Sequence, residues 1–577
     1  MKKTILFTVA ATAILFSSCD SFLDTENLTQ KNTSNYPKTL VDAQQVIAGI
    51  YNNLNVQNAN PQCSFLYVAE LASDDRFGGG GENDKQMQAE DLLMNYGPDM
   101  LGQFWKDRYS GIFRANTAIQ TLGNCSGYES DDQKNQMLGE AYFLRGFYYY
   151  ELASLFGNIP LVTSPSPENK VQATPDEMWG QIVTDFKTAA DLMPAKKFGT
   201  FVSSGHADKW TAEAMLGRAF LFYTGYYKKT DVTLADGKTK LATSDISALI
   251  DDCVNNSGYS LVSDFRNLWA YSNRLTKEDY SFTKGQNLKW VEDDNAVNPE
   301  SMFMIKFSEF AAWSTTIGYS NGFALHMAMR GGQDYAKTFP FGQGWGAGPV
   351  ASNLWKDWVA AEPTDKRRAA SICNIPAEVP AYTKGGWADF VQETDYYGKK
   401  WSPITCKNAD GTYSPGFDVK MYNYVAQMTN MQLSDIHDLV LLRFAEVLLM
   451  QSELKKDVAG INKVRVRAGL PTVAAYSDDA LRNERRWELT CEGIRWNDIR
   501  RWHIAETALA AQNNQPTYFK GVADINATAH NGGGYAARYV ATGGFFAIPQ
   551  SQIDLSNGVL KQNPGWGTTA NEYTGWR

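Results

Sequence analysis

Apolar side chains recur at helical spacing over much of the chain. Between Thr39 and Leu54 the apolar positions are Val41, Val46, Ile47, Ile50, Tyr51 and Leu54, which predicts a helix. Residues 103–122 repeat the pattern with Phe104, Trp105, Tyr109, Ile112, Phe113, Ala115 and Ile119. A long helix is predicted at 132–156, stopped by Gly157, Asn158 and Pro160. Pro175-Asp176-Glu177 opens another that runs to Leu192, with proline and acids in the first turn. Residues 206–228, 434–455, 458–467 and 478–509 complete the helical set. Within it, Glu140 to Tyr150 aligns with Glu213 to Tyr223. Small residues (Ala141 and Gly146, Ala214 and Ala219) allow close helix approach, and Phe147 and Phe220 fill the next groove. This is the pattern of stacked helix hairpins, with an offset near twice the tetratricopeptide period.

Between about 229 and 433 the periodicity fails. Gly331-Gly332, Gly342 to Gly348 and Gly385-Gly386 mark turns, and aromatic residues interrupt every run. This stretch is predicted to be irregular structure laid on the scaffold. Residues 511–577, with Gly532 to Gly534 and Gly543-Gly544, are also expected to be loop-like.

Composition narrows the function. The chain has 577 residues, 63 acids and 54 lysines and arginines, a net charge of −9. That excludes nucleic acid and electrostatic membrane docking as partners. Aromatic residues are 13%, including 16 Trp and 29 Tyr, more than a core alone explains. After Cys19, the cysteines are Cys63, Cys125, Cys253, Cys373, Cys406 and Cys491. None stands in a CxxC pair, so no zinc or redox site is expected; disulfides and buried free thiols both remain open.

The N-terminus resembles a bacterial lipoprotein signal. Lys2 and Lys3 precede an apolar run, Ile5 to Phe16, too short to span a bilayer; Ser17, Ser18 and Cys19 follow. Phe16 stands where such signals usually carry leucine. The resemblance implies cleavage of residues 1–18 and acyl chains on Cys19, enough for stable anchoring. Residues 19–38 then form a polar tether and 39–577 a single domain, with helical scaffold at about 39–228 and 434–509 and the ligand-binding part at about 229–433.

Several segments, in order, resemble the SusD/RagB family of outer-membrane lipoproteins. They include Phe22-Leu23-Asp24, Trp105 to Asn116, Glu140 to Tyr149 running into Phe156 to Val162, and Leu441 to Leu449. Ile461 to Pro471, Glu484 to Trp502, Ile548-Pro549 and Gln562 to Trp566 complete the set. The resemblance implies a mainly α fold: about four tetratricopeptide-like helix pairs against a loop-rich half. It implies no catalysis and no cofactor. It implies oligosaccharide capture at the cell surface as a lid on a SusC-like TonB-dependent transporter, or peptide capture in the RagB branch. Asp20 would suggest inner-membrane retention under an enterobacterial sorting rule, whereas the resemblance points to the outer membrane.

The family motifs are mostly structural. Residues 482–502 carry six arginines and four acids; the mixed signs favour interhelix salt bridges, with Arg465 and Arg467 as partners. Ligand residues are sought among aromatics without helical period and with polar company, because a sugar presents an apolar C–H face and a hydroxyl rim. One region is Asp74 to Gly81 with Asn95-Tyr96, read as a glycine-rich mobile loop, from which Asp75, Arg76, Phe77 and Tyr96 are candidates. Capping aspartates on a surface loop are the structural alternative. Asp74, Asp75, Glu82 and Asp84 lack the spacing of a calcium loop, and no metal is expected. The other region supplies Trp290, Trp313, Tyr319, Asn321 and Trp345, with His326 among them. The loop tryptophans favour sugar over peptide. An all-helical glycoside hydrolase is the enzymatic rival, but no recognisable carboxylate pair supports it.

Overall fold

The computed structural model describes residues 36–55, 61–165, 170–200, 205–307, 320–423, 431–527 and 532–576. The helices begin where the sequence provides caps. In α1 (Leu40–Tyr51), Thr39 and Asp42 exchange side chain–backbone hydrogen bonds. After α2 (Gly102–Thr121), the Ser130 side chain caps α3 (Asp131–Phe156), and Gly157 at φ 70° ends it. A Thr174/Glu177 capping box and Pro175 open α4 (Pro175–Leu192); Asp208 caps α5 (Lys209–Tyr226).

Successive helices pack on one another through α6 (Thr243–Asn256), and α6 packs directly on α7 (Phe444–Lys455). α7 carries α8 (Ala459–Arg467) and α9 (Asp478–Glu488), and α10 (Arg495–Arg501) returns to α5. The pairs α2/α3, α4/α5, α6/α7 and α8/α9 thus form a tetratricopeptide-like stack. The irregular half is inserted between α6 and α7, whose contact closes the scaffold beneath it.

Every residue of α3 from Gly139 to Phe156 except Tyr142 is buried, so its charges need partners inside. Arg145 pairs with Asp185 at 2.6 Å and Glu151 with Arg108 at 2.5 Å. Gly146 permits the approach of α4: a Cβ there would lie 3.0 Å from the Asp185 Cβ. The acids of 482–502 are paired the same way. Arg465 binds Glu484 at 3.1 Å, and Arg467 pairs with Glu488. Burial opposes ionisation of Glu488, but Arg467, Arg443, Arg367 and Lys400 overcome it and hold its carboxyl well below the usual range.

Three segments differ from the helical pattern. Leu439–Arg443, predicted as helix, is a strand (β2) paired antiparallel with β1 (Ser301–Ile305). A short apolar run suits either state, and only the distant partner decides. The predicted helix at 478–509 breaks after α9, where Cys491 and Gly493 have φ of 65° and 72°. The Gly493 amide donates to Glu70 Oε1 at 2.6 Å, and a Cβ there would lie 2.3 Å from Leu66. Third, α6 lies inside the stretch expected to be irregular, and residues 511–577 include a hairpin, β3 (Pro516–Phe519) with β4 (Val522–Ile525), and a helix at Tyr535–Thr542. Among the described residues no helix is long and apolar enough to cross a membrane, and all six described cysteines are buried free thiols.

Candidate functional site

The Asp74–Gly81 segment is not a mobile loop. Asp74 pairs with Arg495 at 2.7 Å, Asp75 with Arg486 at 2.6 Å, and Arg76 with Glu70 at 2.8 Å. Phe77 is fully buried. The glycines that follow serve close approach. A Cβ on Gly79 would lie 2.3 Å from the Gly346 carbonyl, and one on Gly78 2.6 Å from the Gln88 Cα. The Gly78 amide donates to Asp91 Oδ2 and the Gly79 amide to Gln392 Oε1, both at 3.0 Å. Burial pushes the Asp91 carboxyl up to about 8, against hydrogen bonds from Tyr535, Gly78 and Gln392. Asp75, Arg76 and Phe77 therefore face the interior and are not ligand contacts in this structure: both charged side chains are buried in ion pairs and no ring is presented.

Trp290 is also interior, 5% exposed and edge-on to Phe417 at 5.1 Å. Asn321 is buried as a helix cap: its Oδ1 accepts from the Ala324 amide at 3.1 Å and its Nδ2 donates to the His437 carbonyl. Both are buried, so neither presents a ring or rim on the surface in this conformation. Cys19, Trp313 and Tyr319 lie outside the described residues. Tyr96 is exposed, next to Asn95, which pairs with the C-terminal segment at Glu572.

Trp345 is the candidate that leads to a surface. Its ring packs between half-buried His326, at 6.0 Å, and Trp387, edge-on at 6.3 Å. Burial lowers His326 to about 4, so it is neutral at physiological pH. Trp387 is 51% exposed. It stands on an unusual turn: Gly385, Gly386, Trp387 and Ala388 have φ of 109°, 21°, 48° and 60°. Two consecutive non-glycine residues in the left-handed region cost about 1–2 kcal/mol each and persist only when the surroundings enforce them.

The surroundings are explicit. A Cβ on Gly386 would lie 2.4 Å from the Arg330 carbonyl, so glycine lets the turn press onto that strand. The Arg330 guanidinium lies 5.1 Å from the Trp387 ring centre. It donates to both Asp389 oxygens, at 2.8 and 2.7 Å, to Asp84 at 2.8 Å and to the Trp345 carbonyl at 2.8 Å. Glu82, bridged to Lys520 at 2.7 Å, continues the rim. The glycine segment supports this cluster from below: a Cβ on Gly81 would lie 2.3 Å from both Arg330 Nη2 and Asp389 Oδ2. The result is a half-open indole backed by a cation and a second indole, edged by partly exposed Asp84, Asp389 and Glu82. An apolar face with an acceptor rim matches a sugar ring. Trp387 was absent from the sequence candidates. Its signal was the Gly385-Gly386 pair directly before an aromatic residue, which sequence alone marks only as a turn. Among the described residues no group of three His, Cys, Asp or Glu could hold a metal ion.

Comparison with known proteins agrees with this architecture. A family model described as "Starch-binding associating with outer membrane" matches residues 21–221, and one described as the SusD family matches 355–566. SusD-like protein P2 of Formosa agariphila is 24% identical over 512 residues, covering 83% of this chain and 87% of that protein. Among solved structures, a laminarin binding SusD-like protein aligns with a TM-score of 0.67 at 22% identity, covering 92% of this chain and 100% of that one. Surface glycan-binding protein A from Bacteroides thetaiotaomicron, in complex with laminarihexaose, aligns with a TM-score of 0.66 at 20% identity, covering 92% and 100%. At these identities the structures establish a shared fold.

Proposed function

The chain belongs to the SusD/RagB family, and from that premise we propose that it is a non-catalytic glycan-binding lipoprotein of the outer membrane. It captures an oligosaccharide at the cell surface and passes it to a SusC-like TonB-dependent transporter, tethered by acyl chains on Cys19. The observation that carries the binding role is the half-exposed Trp387 ring, held on a strained turn against Arg330 and Trp345. Strain of this kind is retained where a side chain must be presented. The names of the laminarin- and laminarihexaose-bound neighbours make laminarin the first ligand to test.

The rim carboxylates favour capture over cleavage. Asp84 and Asp389 are both held by Arg330, so neither side chain is free to serve in an acid–base pair. Tyr96 is a second exposed ring available to a long ligand.

The test is calorimetry and affinity electrophoresis with laminarin and a glycan panel. Trp387→Ala is expected to weaken binding by about 1–3 kcal/mol, the loss of a ring platform. Unchanged affinity in that variant, or release of reducing ends from any glycan, would overturn the proposal.

A further inference from the structure

Besides the Arg330–Asp389 pair, the turn that carries Trp387 has a second buried polar anchor at its start. Glu393 is 1% exposed, and its Oε2 accepts the Gly385 amide hydrogen at 2.7 Å. Its other oxygen, Oε1, is buried and makes no hydrogen bond of normal geometry, with the Tyr382 hydroxyl the polar side chain that acts on the carboxylate. A carboxylate so placed is costly, and a neutral side chain would fill the space without that cost. The backbone of Glu393 is itself fixed: it pairs in both directions with Tyr518 of β3. The anchor is therefore rigid on one side, and the strained turn hangs from it on the other. Phe390, which donates to the Gly385 carbonyl at 3.0 Å, closes the same turn.

Resting on the glycan-binding reading above, we propose that Glu393 is the positioning residue of the Trp387 platform: through the Gly385 amide its carboxylate holds the left-handed turn, and ligand binding consequently depends on its ionisation. The groups around it are Tyr382 and Lys384 from the preceding loop, Asp395 and Tyr397 from its own segment, and Tyr518 from β3. Lys384 is spent on Asp395, at 2.8 Å, and on the Tyr518 ring, so no cation neutralises Glu393 directly. Burial pushes its carboxyl up to about 7; the Gly385 amide, Tyr382 and Lys384 pull the other way, and Asp395 adds to the rise. As pH falls through 7 the carboxylate takes up a proton, and a charge-assisted hydrogen bond becomes a neutral one of about half the strength. The turn then loosens on the acid side. Glu393→Gln keeps the shape and an acceptor oxygen but cannot titrate.

Two measurements on the full-length protein test this. Hydrogen exchange of the Gly385 amide, corrected for intrinsic rates and read without ligand, is expected to accelerate several-fold from pH 8 to pH 6 in the parent chain and to show no step in Glu393→Gln. Laminarin affinity is expected to fall several-fold over the same interval in the parent chain and to stay flat in the variant. The comparison with Glu393→Gln removes other groups that titrate near 7, such as Asp435. An exchange profile without a step, or a step of equal size in Glu393→Gln, overturns the anchor even if Trp387→Ala still loses ligand. Loss of the Trp387→Ala effect overturns the binding site instead, and exchange at Gly385 reports that case separately.

Discussion

Two glycine-marked segments meet beneath the proposed site, and they use glycine in opposite ways. Gly78–Gly81 is buried, pinned by the Asp91 carboxyl and packed so tightly that a methyl group on Gly78 or Gly79 would strike backbone. Gly385–Gly386 begins a left-handed turn, pinned by the Glu393 carboxyl, that lifts Trp387 into solvent. The segments touch where Gly81 bridges Phe390 and the Glu82 amide donates to the Asp389 carbonyl. One segment is a foundation, the other a mount. Each has a glycine amide held by a buried acid, yet only the second exposes a ring. Glycine-rich sequence therefore signals a backbone constraint, and the direction of the nearest side chain decides whether that constraint serves packing or recognition.

The contrast can be broken by substitution. The largest effect is expected for Gly79→Ala, which adds a methyl 2.3 Å from the Gly346 carbonyl at φ 69°. Overpacking plus a left-handed alanine should cost about 3 kcal/mol or more in urea unfolding; a loss below about 1 kcal/mol would mean the segment yields easily. Asp75→Ala should follow at about 3 kcal/mol, because Arg486 keeps exposed Asp357 and a 3.6 Å contact to Asp74 but loses its close buried partner. In both variants that remain folded, ligand affinity should be nearly unchanged, as expected of a foundation.

Asp91 provides a pH test of the same foundation. Its carboxyl is raised to about 8, so the folded state binds the proton more tightly than the unfolded chain. The Asp91 contribution to stability is then greatest in acid and declines as pH rises from about 4 to about 8, by up to about 1.4 kcal/mol per unit. Asp91→Asn should flatten that decline in thermal melts recorded across the range; an unchanged profile would show that the decline comes from elsewhere. On the mount, Trp387→Ala should leave stability within about 0.5 kcal/mol, a surface value, while ligand is lost. The smallest expected effect is a gain: Ala388→Gly relieves a residue at φ 60° and should stabilise by about 0.5–1 kcal/mol. Destabilisation there would show that the alanine methyl makes contacts worth more than the strain.

The scaffold was largely legible. Predicted helices at 103–122, 132–156 and Pro175 to Leu192 agree with α2, α3 and α4 to within a residue, since periodicity and caps are local signals. The salt-bridge reading of 482–502 also agrees with the structure, because mixed charges on one helix face have few other uses. Leu439–Arg443 was misread as helix because five apolar-rich residues carry no period of their own. The site was legible only in outline. Trp290 and Trp345 look alike in sequence, each a tryptophan amid irregular structure, yet one is core and the other leads to the surface. Asp75 and Arg76 have the residue types of a sugar rim and are spent on Arg486 and Glu70.

By itself the sequence determined that this chain builds a stack of capped helices with an aromatic-rich insertion, because those properties are written within a few residues of one another. The tertiary structure alone decided which rings face solvent. Exposure depends on partners far apart in the chain, such as Arg330 and Asp84 beneath Trp387 and Phe417 against Trp290, and no local pattern encodes them.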